Sequence, residues 1–280
     1  MDPSIGTGNW KGFKGYPIGS VFAAAEQWAG KLEAVSHPWL CWNVSPRWSL
    51  VQQRLVKSVG WTPIVGFDPR VGPPPLEPGS ILIDFNESFQ FPVMWPHFPL
   101  EFAFLFAHRL AFWHADLLCT PKVMKYLANT FSALKDGETT AVLDRGGRRN
   151  FLNFKSHRFW ELCGCTTRGA SENQFYNGTG WWRFFDHHIK CVTESERARR
   201  SKYSYDSGVG ILYWRNNYRG CVKPININMV KEGHCSEIQM LKSYKEAPNH
   251  YNALRDLPHE LDSNYSLDEI SKRLEIDQYL

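Results

Sequence analysis

Leu110-Ala-Phe-Trp-His114-Ala-Asp116-Leu-Leu-Cys-Thr120-Pro121 sets an apolar run, a His-x-Asp pair and a helix start in immediate succession. Leu110 to Trp113 reads as a buried strand. Thr120 followed by Pro121 reads as a helix entrance, because a threonine hydroxyl caps a first turn and proline's fixed φ suits the first helical position. Val123, Met124, Leu127, Phe131 and Leu134 then recur at helical spacing, which predicts a helix over Lys122–Leu134. His114 and Asp116 therefore stand where a strand delivers the chain to its carboxyl end. In an α/β sheet that edge collects ligands.

The same reading extends outward on both sides. Val21–Lys31 predicts a short helix, Trp39–Val44 a buried strand, and Ser49–Val59 a helix closed by Gly60. Trp61–Phe67 predicts a second strand ending at Asp68, and the proline-rich Asp68–Gly79 a loop. Ile81–Phe85 follows as a third strand, Leu100–Arg109 as a helix apolar on nearly every side, and Thr139–Asp144 as a strand after the turn Lys135-Asp-Gly137. Alternating strands and helices predict an α/β fold, Rossmann-like, with a mostly parallel mixed sheet flanked by helices.

Beyond Asp144 the alternation weakens. Phe159–Thr167 reads as a strand followed by a loop, Ser195–Lys202 as a charged helix, Val222–Val230 as an edge strand carrying Pro224, and Ser266 with Glu269 as the capping box of a last helix. The whole is read as one domain over 1–280. It has an extension at 1–35, a half at 36–145 that looks like a nucleotide-binding architecture, a less regular half at 146–240, and a tail with its helix at 241–280.

Composition narrows the function classes. The 280 residues carry a net charge of +4, spread along the chain, which suits an anionic small molecule and does not call for nucleic acid. No window approaches the roughly 18 apolar residues of a membrane span, and Met1 to Lys14 lacks the pattern of a secretory signal. A soluble cytoplasmic protein is expected, with peripheral contact at a membrane surface left open. The seven cysteines are odd in number and lie mostly in apolar runs, so reduced buried thiols are expected. Neither G-x-G-x-x-G nor the P-loop pattern occurs, which argues against dinucleotide and P-loop enzymes. No G-x-S-x-G elbow supports a serine hydrolase.

The His-x-Asp pair carries the most chemistry. Alternation along a strand would aim both side chains to one face, where a nitrogen and an oxygen ligand share one divalent cation. The plainer reading is a hydrogen-bonded core histidine beside a helix-capping aspartate. Other candidates are Asn43 and Ser45, Asp68 and Asp84 at the ends of the first three strands, and Arg145 and Arg168 as forks for a diphosphate. Asp68 before Pro69 reads more readily as a turn residue. Arg197, Arg199, Arg200 and Lys202 share their helix with Glu194 and Glu196 and read as a solvated face.

The order strand, acidic motif, helix, turn, strand resembles the metal-binding DXD region of GT-A fold glycosyltransferases. The resemblance implies Mn²⁺ or Mg²⁺ held by Asp116 in the second acidic position, with His234 of Glu232-Gly-His-Cys235 as a late ligand. His114 stands where that family has its first acidic residue, which leaves fewer carboxylates to attract a hard cation. Gly178-Thr-Gly-Trp-Trp182 looks like the acceptor loop of some of these enzymes. By that likeness Trp181 and Trp182 would stack on a sugar ring, with ordinary core packing as the alternative, and Asp186 or Asp206 would act as general base. The implied activity is transfer of a sugar from a nucleotide-sugar donor to a saccharide or other hydroxyl acceptor.

Two rivals are weighed beside it. His114, Asp116 and a distant histidine match the 2-His-1-carboxylate triad of non-haem Fe(II) oxygenases. That triad sits in a double-stranded β-helix, whereas a helix begins just after Asp116. The aromatic content, 12 Trp, 11 Tyr and 18 Phe, would also serve a non-catalytic carbohydrate- or nucleic-acid-binding protein, though no RNA-binding aromatic motif accompanies it.

Overall fold

The computed structural model describes residues 26–43, 45–67, 71–85, 87, 107–144, 158–181, 193–203, 208–234 and 267–280. The chain forms two compact units interleaved in sequence. One is drawn from His37–Pro96, Ala111–Ala133 and Asn228–Leu280, the other from Met1–Ser36, His97–Leu110 and Leu134–Ile227.

The first unit is an α/β layer. It contains β1 (Pro38–Asn43), α1 (Pro46–Ser58), β2 (Thr62–Phe67), β3 (Ile81–Leu82), the part of β4 (Arg109–Trp113) from Ala111 onward, and α2 (Pro121–Ser132). β2 lies between β3 and β1, and β1 pairs with β4 through Trp39↔Ala111 and Leu40↔Phe112, all in parallel. All six residues of β1 are buried, as a parallel strand covered on both faces requires. Trp39 meets Trp61, Trp113 and Phe131 at ring separations of 5.4, 5.3 and 5.0 Å, so the core is largely aromatic. A Cβ on Gly66 would lie 2.6 Å from the Trp42 ring, which leaves glycine as the residue that fits there.

The second unit carries β5 (Glu138–Asp144), β6 (Arg158–Thr167), α3 (Arg168–Tyr176), α4 (Glu194–Arg200), α5 (Val209–Tyr218) and β7 (Cys221–Asn226). β6 runs antiparallel to β5, with a register shift between Ala141 and Val142, while β7 runs parallel to β5 on its other side. Pro224 sits in β7, which supports its reading as an edge strand. Residues 26–32 are helical. After β7 the chain returns to the first unit through the 3₁₀ turn Lys231–Gly233 and ends with α6 (Leu267–Arg273) and the turn Asp277–Tyr279.

Among the described residues the fold is thus α/β, with seven strands in mixed parallel and antiparallel pairing accompanied by helices. Several expectations change. Residues 107–108 form a bend and Arg109 opens β4, so no helix runs to Arg109; residues 101–106 lie outside the described residues. β6 passes directly into α3 instead of a loop. Ser266, the expected cap of α6, lies outside the described residues. Cys41, Cys119, Cys163 and Cys165 are buried as expected, whereas Cys221 is exposed. Among the described residues no helix is long and apolar enough to cross a membrane.

Candidate metal centre

Strand β4 ends at Trp113, and the chain at once makes a tight turn in which the Leu117 N–H donates to the His114 carbonyl at 3.1 Å. His114 and Asp116 therefore approach through a turn and not through strand alternation: His114 Nδ1 lies 3.5 Å from Asp116 Oδ1. The chain then enters α2 as its sequence dictates. Thr120 is extended and its hydroxyl accepts from the Val123 N–H at 3.3 Å, with Pro121 in the first turn.

The third side chain arrives from far along the sequence. His234 Nε2 lies 3.6 Å from the same Asp116 oxygen, and the two imidazole rings are 5.5 Å apart. One ligand atom from each of His114, Asp116 and His234 can be chosen so that all three lie within 4.8 Å of one another. A cation with bonds of roughly 2.0 to 2.6 Å spans such a gap with small side-chain adjustment. The three side chains are 26%, 14% and 12% exposed respectively, so the centre is shielded yet open to a ligand.

Backbone contacts hold this geometry. Leu117 and His234 form an antiparallel bridge, and the Leu118 N–H donates to the Gly233 carbonyl at 3.0 Å. The turn's other support comes from α1. Gln52 is fully buried, and its side-chain amide donates to the carbonyls of His114 and Leu117 at 2.8 and 2.9 Å. The Leu117 carbonyl thereby gains a donor, and the His114 carbonyl, which already accepts the Leu117 N–H, gains a second one. On the other side, the Arg273 guanidinium of α6 donates to the Glu232 carbonyl at 2.9 Å, steadying the segment that carries His234.

The donor set fits a divalent ion, since it offers one carboxylate and two imidazoles. Cys119, close by in sequence, is buried, and burial pushes its thiol up to about 12.

The other candidates fall into three groups. Asn43 closes β1, buried, at the same carboxyl edge as the triad, and its amide donates to the Gly72 carbonyl at 2.9 Å. Ser45 precedes α1 and is buried; Asp84 lies two residues past β3, half-buried. Arg168 and Trp181 belong to the second unit. Arg168 pairs with Glu172 one turn along α3 at 2.8 Å. Trp181 is wholly buried and its indole N–H donates to the Thr166 hydroxyl at 2.7 Å, which is core packing and not an exposed stacking platform. Asp68, Arg145, Trp182, Asp186 and Asp206 lie outside the described residues.

The charged helix also departs from its reading. Arg200 is buried and donates to buried Glu196 at 3.1 Å, while the hydroxyls of Tyr213 and Tyr218 donate to the same carboxylate at 2.6 and 3.0 Å. Burial alone would raise the Glu196 carboxyl's pKa. The hydrogen bonds from Tyr213, Arg200, Tyr218 and Arg199 outweigh it and hold the pKa below the usual value.

Sequence reading missed Gln52. Its signal was present: a glutamine on the apolar side of α1, one residue after Val51 and three before Leu55. No family model, characterised protein or solved structure matches the chain.

Proposed function

We propose that this protein is a glycosyltransferase that moves a sugar from a nucleotide-sugar donor to a hydroxyl acceptor with the help of a divalent cation. The observation that carries the reading is the convergence of His114, Asp116 and His234 at the carboxyl end of β4, between parallel strands and the start of α2. This is the placement that the resemblance to the DXD region implies, with a late histidine completing the set.

In this reading Asp116 and His234 are cation ligands, and His114 is a third ligand or a hydrogen-bond donor to the diphosphate. A cation held there supplies positive charge against the leaving diphosphate. Asn43 and Asp84 supply polar contacts to the nucleotide from neighbouring strand ends. Asp186 or Asp206 takes the proton of the acceptor hydroxyl, and Trp182 provides apolar contact to its ring.

The donor set itself favours a second reading, because two histidines and one carboxylate also make the triad of non-haem Fe(II) oxygenases. Parallel strands and the helix after Asp116 weigh against it, since that triad belongs to a β-helix of strands.

Thermal melting with a panel of nucleotide sugars, with and without Mn²⁺, tests the proposal. A ligand that binds the native state raises the melting temperature. A donor-specific shift followed by release of the nucleoside diphosphate supports glycosyl transfer. No shift with any donor, together with oxygen-dependent turnover of Fe(II)-loaded protein, transfers the case to the oxygenase.

A further inference from the structure

We infer that the triad takes up a borderline divalent ion, of the series from Mn²⁺ to Zn²⁺, without any nucleotide, and discriminates against Mg²⁺ and Ca²⁺. The inference rests on the metal centre of the preceding reading but not on its sugar donor. Three observations carry it.

The first is the kind of donor. Two imidazole nitrogens and one carboxylate oxygen stand together, so nitrogen outnumbers charged oxygen. Mg²⁺ and Ca²⁺ take oxygen ligands almost exclusively, whereas imidazole suits the later first-row ions. A carboxylate at position 114 would add charge for a hard ion; His114 removes that charge and adds a nitrogen.

The second is number. Three protein side chains are what open catalytic metal sites usually provide, with the remaining positions left to water or substrate. A site that drew one or two ligands from the protein would depend on the donor's phosphates to complete it. This one draws three.

The third is preorganisation. The turn 114–117 is pinned by Gln52 at two carbonyls, and the segment carrying His234 is pinned to Leu117 and Leu118 through the backbone. These backbone contacts set His234 Nε2 3.6 Å from the Asp116 carboxylate, so the three ligands are held together by the fold around them. Ligands already in place reduce the ordering cost of binding.

The full chain, stripped with a chelator and dialysed, is titrated with Co²⁺ alone while its visible d–d absorption is followed, then challenged with Mn²⁺, Zn²⁺, Mg²⁺ and Ca²⁺. The expected result is saturation at one Co²⁺ per chain, displacement by Zn²⁺, and no displacement by Mg²⁺ or Ca²⁺ at about a hundredfold excess. In His114→Asp, Co²⁺ binds at least about tenfold more weakly and Mg²⁺ competes. Displacement by equimolar Mg²⁺, or no Co²⁺ uptake without nucleotide, overturns the inference whether or not the variant folds. If the ion binds and no nucleotide sugar does, the inference stands and the glycosyltransferase reading falls. If the ion enters only with a nucleotide sugar, that reading stands and the inference falls.

Discussion

Gly233 and Leu118 meet backbone against backbone. The Leu118 N–H donates to the Gly233 carbonyl at 3.0 Å, and a Cβ built on Gly233 would lie 1.6 Å from the Leu118 carbonyl oxygen. No flexible side chain can yield there, because the obstructing atom belongs to the main chain that leads from Asp116 into α2. Gly233→Ala is therefore expected to push the His234 segment away, costing about 1–3 kcal/mol of stability. Denaturant unfolding reads the first effect, and the Co²⁺ titration reads the accompanying loss of ion binding.

Gln52 acts on the same centre from behind. Gln52→Met keeps the length and helix propensity of the side chain but leaves the carbonyls of His114 and Leu117 without its two donated bonds. The expected cost is about 2–3 kcal/mol in stability. Ion affinity should fall about 10- to 100-fold, the usual effect of removing a group that orients metal ligands. Unchanged ion affinity in a folded variant would show that the turn holds itself.

Glu196 sets an acid limit on the second unit. Its pKa is depressed on folding, so the stability it contributes is complete above the ordinary glutamate value of about 4.3 and is lost as pH falls through the lower folded value. Glu196→Gln should flatten the acid side of the stability profile measured by urea unfolding between pH 3 and 7. At neutral pH the same change leaves buried Arg200 without its charged partner, at a cost of about 3 kcal/mol. An unaltered acid slope would mean that other carboxylates dominate it.

Trp181 offers a test of packing against recognition. Trp181→Phe removes the N–H that donates to Thr166, whose oxygen also lies 2.7 Å from the Thr139 hydroxyl. A loss of about 1–2 kcal/mol in thermal or urea unfolding is expected. A variant as stable as the parent would contradict the burial of this indole.

How much of this was legible depends on what the elements bury. β1, β2 and α2 were readable because apolar runs and helical spacing match the surfaces they cover. α3 was hidden because its buried face is Ala170, Ser171, Gln174 and Phe175, mostly small or polar residues that leave no apolar period. α5 was hidden for the opposite reason: Val209, Gly210, Ile211, Tyr213 and Trp214 are buried on several sides, so no stripe marks it. His114, Asp116 and His234 could be named from motif and resemblance, but the turn that joins the first two and the backbone bridge that brings the third depend on tertiary contacts. Arg200 looked solvated because its helix is charged throughout, yet its partner Glu196 is also held by Tyr213 and Tyr218 of α5.

The interleaving of the two units gives the ion centre a place in time. His114 and Asp116 leave the ribosome early, then most of the second unit is made, and only afterwards does the stretch with Gly233 and His234 appear. A nascent chain short of that stretch holds two of the three ligands and lacks the bridge that fixes the third. Stabilisation by an ion at this centre, which would follow the usual linkage between binding and folding, is then withheld from any chain that stops short of His234. Added cation should accordingly protect chains that extend past His234 from proteolysis and leave fragments ending before Gly233 unprotected.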